Sequence, residues 1–262
     1  MGTNLYLIDI KDPYPMNWRV FQGSARGSHH IDHAIPCQDF AYQEQRGDVL
    51  CAIVCDGAGS ADYSDQGATF FAHGIVKRLL SLSLSGPFEI DLLKPLLENS
   101  IEETRCELSA TLPENHQLRD YAATVVGCLI GPQGGCFFHI GDGFAVFQEA
   151  NRPAVLSLPE NGEYASETYF VTGNDWREHL RLTLLPAPSS TSYWGLMSDG
   201  AATFAIDKQR SGFFPAFINP VLDYLKNVDI ETGNAALQNL LESPKTVAIT
   251  SDDKTLLLAS LK

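Results

Sequence analysis

Three segments of the chain share one design, an apolar run that ends in an aspartate followed at once by glycine. They are Ala52-Ile-Val-Cys-Asp56-Gly57-Ala-Gly59, Phe137-Phe-His-Ile-Gly141-Asp142-Gly143 and Gly195-Leu-Met-Ser-Asp199-Gly200. A single Asp-Gly pair reads as a tight turn, because glycine supplies positive φ and aspartate bonds its own backbone. Three such pairs, each closing a hydrophobic strand with no Lys or Arg beside the acid, point to chemistry. Burying a carboxylate there costs several kcal/mol unless a cation is bound. Two further acidic signals flank the set: Pro36-Cys37-Gln38-Asp39 near the start, and Ser251-Asp252-Asp253-Lys254-Thr255 ahead of the last apolar run. Asp252-Asp253 alone reads as a solvated turn. Hard oxygen ligands without accompanying His or Cys favour magnesium or manganese over zinc.

Elements must carry these residues to one place. Apolar runs at Val49–Cys55, Ala122–Ile130, Cys136–Ile140, Ala145–Phe147, Tyr193–Met197 and Leu256–Leu261 predict strands. Ala68, Phe71, Ala72, Ile75, Leu79 and Leu82 recur at helical spacing, with Ser64 placed to cap the helix. Leu93, Leu97, Ile101, Thr104 and Leu108 predict a second helix with Pro95 near its first turn. Further helices are expected around residues 213–227 and 231–241. Strands that follow one another without intervening helices predict antiparallel sheets in an α+β fold, with paired helices on the outer faces.

Composition narrows the partners. A chain of 262 residues with 44% hydrophobic residues can bury a substantial core, and one domain over residues 1–262 is the simplest division. The net charge of -14 argues against nucleic acid as a partner, since backbone binding needs clustered cations. No membrane span or signal peptide is expected at Met1–Ile10, and the expected location is cytoplasmic. The six cysteines show no zinc spacing. Cys51 and Cys55, on one face of a strand, would stand about 13 Å apart, too far for a disulfide. Reduced thiols packed in the core are expected.

The succession Gln38-Asp39, Asp56-Gly57-Ala-Gly-Ser60, Ala122-Ala-Thr124, Gly141-Asp142-Gly143, Ser198-Asp199-Gly200 and Asp252-Asp253-Lys-Thr255 resembles the PPM, or type 2C, metal-dependent protein serine/threonine phosphatases. It is most similar to a compact bacterial branch, which the segment Gly162-Glu-Tyr-Ala-Ser-Glu-Thr168 also resembles. The resemblance implies a four-layer αββα sandwich, with two antiparallel sheets flanked by helix pairs and manganese or magnesium ions at one end. By motif, Asp56 would bridge two core ions with the Gly57 carbonyl on the second. Asp199 and Asp252 would hold the first, Asp39 would act through water, and Asp142 with Asp199 would hold a third ion. The implied reaction is hydrolysis of phosphoserine and phosphothreonine on proteins by hydroxide formed between the ions, with a Ser/Thr kinase as the opposing partner. The alternatives are a catalytically silent relative that binds a phosphoprotein or kinase, and a hydrolase of small phosphoesters.

Two departures from the family stand out. Gln38 occupies a position where many relatives have Glu, and Ala34 one where they have a phosphate-binding arginine. Arg26, His29, His30 and His33 are the nearby substitutes, with His30 the candidate catalytic-site residue that would touch phosphate. Residues 160–177 are expected to form a flap beside the cleft, in which Glu163, Tyr164, Glu167 and Thr168 would order the loop or touch substrate.

Overall fold

The computed structural model describes residues 16–82, 84, 88–150, 152–160 and 168–261. Its strands are β1 (Trp18–Ala25), β2 (Asp39–Arg46), β3 (Val49–Asp56), β4 (Val125–Gly131), β5 (Gly134–Ile140), β6 (Phe144–Gln148), β7 (Val155–Ser157), β8 (Arg181–Leu185), β9 (Tyr193–Met197) and β10 (Lys254–Leu261). They form two five-stranded sheets, in the order β1-β10-β9-β6-β7 and β2-β3-β4-β5-β8. Every pairing is antiparallel.

Alternation along the strands builds three cores. Leu50, Ala52 and Val54 of β3 face the other sheet and meet Trp194, Leu196, Leu257 and Ala259. Cys51, Ile53 and Cys55, on the opposite face of the same strand, pack beneath α2 (Ser64–Ser81) and α3 (Ile90–Thr111). Beyond the other sheet, Phe21, Val146, Met197, Leu256 and Leu258 lie against α4 (Asp199–Ala205), α5 (Pro215–Leu225) and α6 (Ile230–Leu241). The layers are therefore helices, sheet, sheet, helices. Three short helices complete the described residues, α1 (Ser28–Asp32), α7 (Pro244–Val247) and a 3-10 turn at Leu118–Tyr121.

Register gathers the aspartates. Asp39 opens β2 directly opposite Asp56, which closes β3. The end of β3 lies beside the start of β4, and Val125 of β4 pairs with Ile140, two residues before Asp142. In the other sheet Met197 pairs with both Phe144 and Leu256, which brings Asp142, Asp199 and Asp252 to the same end. Gly57 takes a place no other residue fits, since a Cβ there would stand 2.8 Å from the Gln38 carbonyl and from Ser64.

Several local expectations change. Ser64 is the first helical residue rather than the cap, which is Tyr63. Pro95 lies at the sixth residue of α3, past the first turn, so the Asp91 carbonyl has no amide hydrogen there to accept. The stretch 160–177 is partly core: Val171 and Trp176 are fully buried against α3, while Glu163, Tyr164 and Glu167 lie outside the described residues. All six cysteines are free, four of them buried, with Cys37 partly exposed and Cys106 exposed. Among the described residues no helix is long and apolar enough to cross a membrane.

Candidate metal centre

At this end of the sandwich lies a cleft of about 230 Å³, lined by His30, Gln38, Asp56, Gly57, Thr124, Asp142, Thr168, Asp199, Asp252 and Asp253, among others. Five of the six residues expected to hold metal are in this lining. The sixth, Asp39, is only 5% exposed and lies beside Asp56. Its Oδ2 accepts a 2.7 Å hydrogen bond from Ser198 Oγ, and its Oδ1 is buried without a donor. Asp199, the first residue of α4, also keeps a buried Oδ1 with no partner.

The electrostatics are those of acids crowded without counter-ions. None of Asp39, Asp56, Asp142, Asp199 and Asp252 belongs to an ion pair among the described residues. Burial, together with the Asp253 charge, pushes the Asp39 carboxyl up to about 7 despite the Ser198 hydrogen bond. Asp199 is pushed up to about 6 by burial and by Asp142 and Asp252. Asp56 goes well above the ordinary carboxylate range, through burial and then the charges of Asp39, Asp199, Asp142 and Asp252. A divalent cation reverses the sign of that cost.

The residues fit a hard cation. Asp199, with its orphaned carboxylate oxygen, lines a pocket whose other acids are also oxygen donors, with no thiolate or imidazole set, and Asp39 keeps a second orphaned oxygen buried beside Asp56. No group of three or more His, Cys, Asp or Glu side chains among the described residues is gathered tightly enough to hold an ion by itself.

One acid the sequence leaves in a turn is structural. Asp253, 3% exposed, accepts from the Gly27 N–H through Oδ1 and from the Gln38 N–H through Oδ2, both at 2.6 Å. It thereby ties the start of β10 to the loops that precede α1 and β2. Ser198 joins it from β9: besides bonding Asp39, its Oγ accepts from the Thr255 N–H at 3.0 Å. Thr124 fixes Asp56 from β4, its Oγ1 accepting from the Asp56 N–H at 3.1 Å. Thr168 Oγ1 donates to Asp142 Oδ2, which brings the segment after 167 onto the cleft. Ser198 and Thr124 had a signal in the sequence, namely their places inside the quoted motifs. Asp253 had none, because only burial distinguishes it from Asp252.

Of the basic residues near Ala34, only His30 reaches the cleft. Its Nδ1 stands 3.0 Å from Asp253 Oδ1, off hydrogen-bond alignment. Arg26 Nη1 donates to the Ile35 carbonyl at 3.2 Å, and the His33 ring contacts the His29 carbonyl at 2.8 Å. Ala34 itself is exposed, with a left-handed φ of 54°.

Comparison with known proteins agrees with this arrangement. Residues 26–242 match the family described as Protein phosphatase 2C. Over 253 residues, 93% of this chain and 98% of the relative, the sequence is 29% identical to Serine/threonine-protein phosphatase 3 of Escherichia coli (strain K12). Among solved structures, the S. agalactiae serine/threonine phosphatase superposes with a TM-score of 0.64 at 13% identity, covering 94% of this chain and 100% of that one. The catalytic domain of serine threonine protein phosphatase PstP, in complex with 2 manganese ions, superposes at 0.56 with 14% identity, covering 93% and 98%.

Proposed function

The chain belongs to the protein phosphatase 2C family, and from that premise we propose that its cleft removes phosphate from phosphoserine and phosphothreonine on proteins with the help of two divalent ions and a third, weaker one. The observation that carries this reading is the set of carboxylates that meet at one end of the sheets with no basic partner, three of which, Asp39, Asp56 and Asp199, are held above the ordinary carboxylate range by burial.

Asp56, the Gly57 carbonyl, Asp199 and Asp252 are the groups that would hold the core ions, with Asp39 beneath them and Asp142 with Asp199 for the third. Bound there, manganese or magnesium acidifies water and neutralises charge on the phosphoryl oxygens. The protein's own part is position. Asp253 and Ser198 fasten three strand ends, so the ligands keep their spacing when charge develops on the phosphoryl group. Thr124 holds the Asp56 backbone in the same way. His30, on the cleft wall beside Asp253, is the side chain that would meet the phosphate in the role that arginine has in relatives.

The direct test is to offer purified protein phosphoserine, phosphothreonine and phosphotyrosine peptides with manganese, magnesium or chelator. Release of phosphate from the first two, lost on chelation, is expected. Full activity in a metal-stripped sample would contradict the reading.

A further inference from the structure

A second cavity, of about 390 Å³, shares a wall with the metal cleft: Asp142 and Asp199 line both. Unlike the metal cleft it also has basic side chains in its wall, Lys208 and Arg210, along with Asp207. We propose that Lys208 and Arg210 form an anion subsite that takes an acidic side chain beside the phosphorylated residue of the substrate; this rests on the phosphoprotein reading above.

The loop that carries them is built to hold them out. An isolated bridge between Ile206 and Phe213 closes its base, and the Asp207 N–H donates to the Gly212 carbonyl at 3.0 Å. The Asp207 carboxylate is occupied within the loop, by the Ser211 N–H at 3.1 Å and the Ser211 hydroxyl at 2.6 Å. Among the described residues, neither Lys208 nor Arg210 has an ion-pair partner, and both are exposed.

Arg210 is also placed. Its guanidinium carbon lies 5.5 Å from the centre of the Phe144 ring, and Phe144 follows Asp142 by two residues. Its φ is 55°, a left-handed backbone that glycine or asparagine adopts at less cost. A strained arginine, held over a ring beside the site, is the kind of outlier from which a role is inferred. Two unneutralised cations next to an acid-rich cleft, in a chain of net charge -14, suit an anionic ligand. The phosphoryl group itself belongs in the neighbouring cleft, so this subsite reads the residue next to it.

The test compares three phosphoserine peptides that differ only at the flanking position, which carries Glu, Ala or Lys. With manganese present, wild-type kcat/KM should be about tenfold higher for the Glu than for the Lys peptide, the size of one charge-assisted contact, and the gap should close in high salt. The double variant K208E/R210E should invert the order and gain activity on the Lys peptide, which a misfolded protein cannot do. Arg210→Gly should raise Tm by relieving the left-handed backbone while losing most of the preference. A fourth peptide with phosphoserine at the flanking position, cleaved faster than the Glu peptide, would make the natural ligand a second phosphate. An order of peptides that stays the same in K208E/R210E overturns the subsite alone. No cleavage of any peptide by wild type overturns the phosphoprotein reading and the subsite with it.

Discussion

Asp253 on the one hand and Asp39 with Asp199 on the other are all carboxylates held at the ends of core strands, yet the fold treats them in opposite ways. Both oxygens of Asp253 are matched by backbone N–H groups at 2.6 Å. Asp39 and Asp199 each keep one buried oxygen with no donor, and their protons are held up to about 7 and about 6. An acid supplied with donors stabilises the fold; an acid denied them stores a cost that a cation removes. The difference separates the residues that build the cleft from those that await a ligand in it.

Removing the most crowded acid should break this contrast most visibly. Asp56→Asn should lower phosphatase kcat/KM by about a thousandfold, equivalent to several kcal/mol of transition-state stabilisation. The same change should make the metal-free protein more resistant to urea, because it deletes a repelled charge and keeps the shape. Steady-state kinetics and urea unfolding on one preparation measure both. A metal-free variant less stable than wild type would place Asp56 with Asp253 rather than with Asp39.

On the other side, Asp253→Ala should destabilise the protein with or without metal. It leaves the Gly27 and Gln38 N–H groups buried and unmatched, at about 1–3 kcal/mol each. A urea midpoint unchanged from wild type would show that those amides find other partners.

The smallest effect concerns pH. Asp39 and Asp199 hold protons more tightly folded than unfolded, so the folded state binds more protons between the ordinary carboxylate value and their raised ones. Their contribution to metal-free stability is full below about pH 4 and is lost as pH rises through about 6 and about 7. In chelator, then, Asp39→Asn should gain stability relative to wild type between pH 5 and 8. With saturating manganese that trend should vanish or reverse, and thermal unfolding in both conditions checks it.

The legible part of this contrast was the apolar strand that ends in Asp-Gly. Such a strand announces itself by composition, as β9 does at Tyr193–Met197, where expectation and structure coincide. Strand β2 was missed because Gln43, Glu44, Gln45 and Arg46 at its outer end mask the alternation. β1 was missed because the polar residues Arg19, Gln22 and Ser24 break its apolar run, while α5, α6 and β10 supply their partners from more than 200 residues away. Two adjacent aspartates, 252 and 253, cannot be told apart by type; the register of β10 buries one and leaves the other exposed. The cations of the 206–213 loop were equally hidden, since what gives them meaning is a wall shared with Asp142.

The central claim is that these unmatched carboxylates form a divalent metal centre, and calorimetric titration of manganese into chelator-treated protein tests it most directly. Wild type should bind at least two ions per chain with a release of protons, and Asp56→Asn should lose the tight sites while Asp142→Ala loses only the weakest. Binding that is absent in wild type, or identical in wild type and Asp56→Asn, would contradict it.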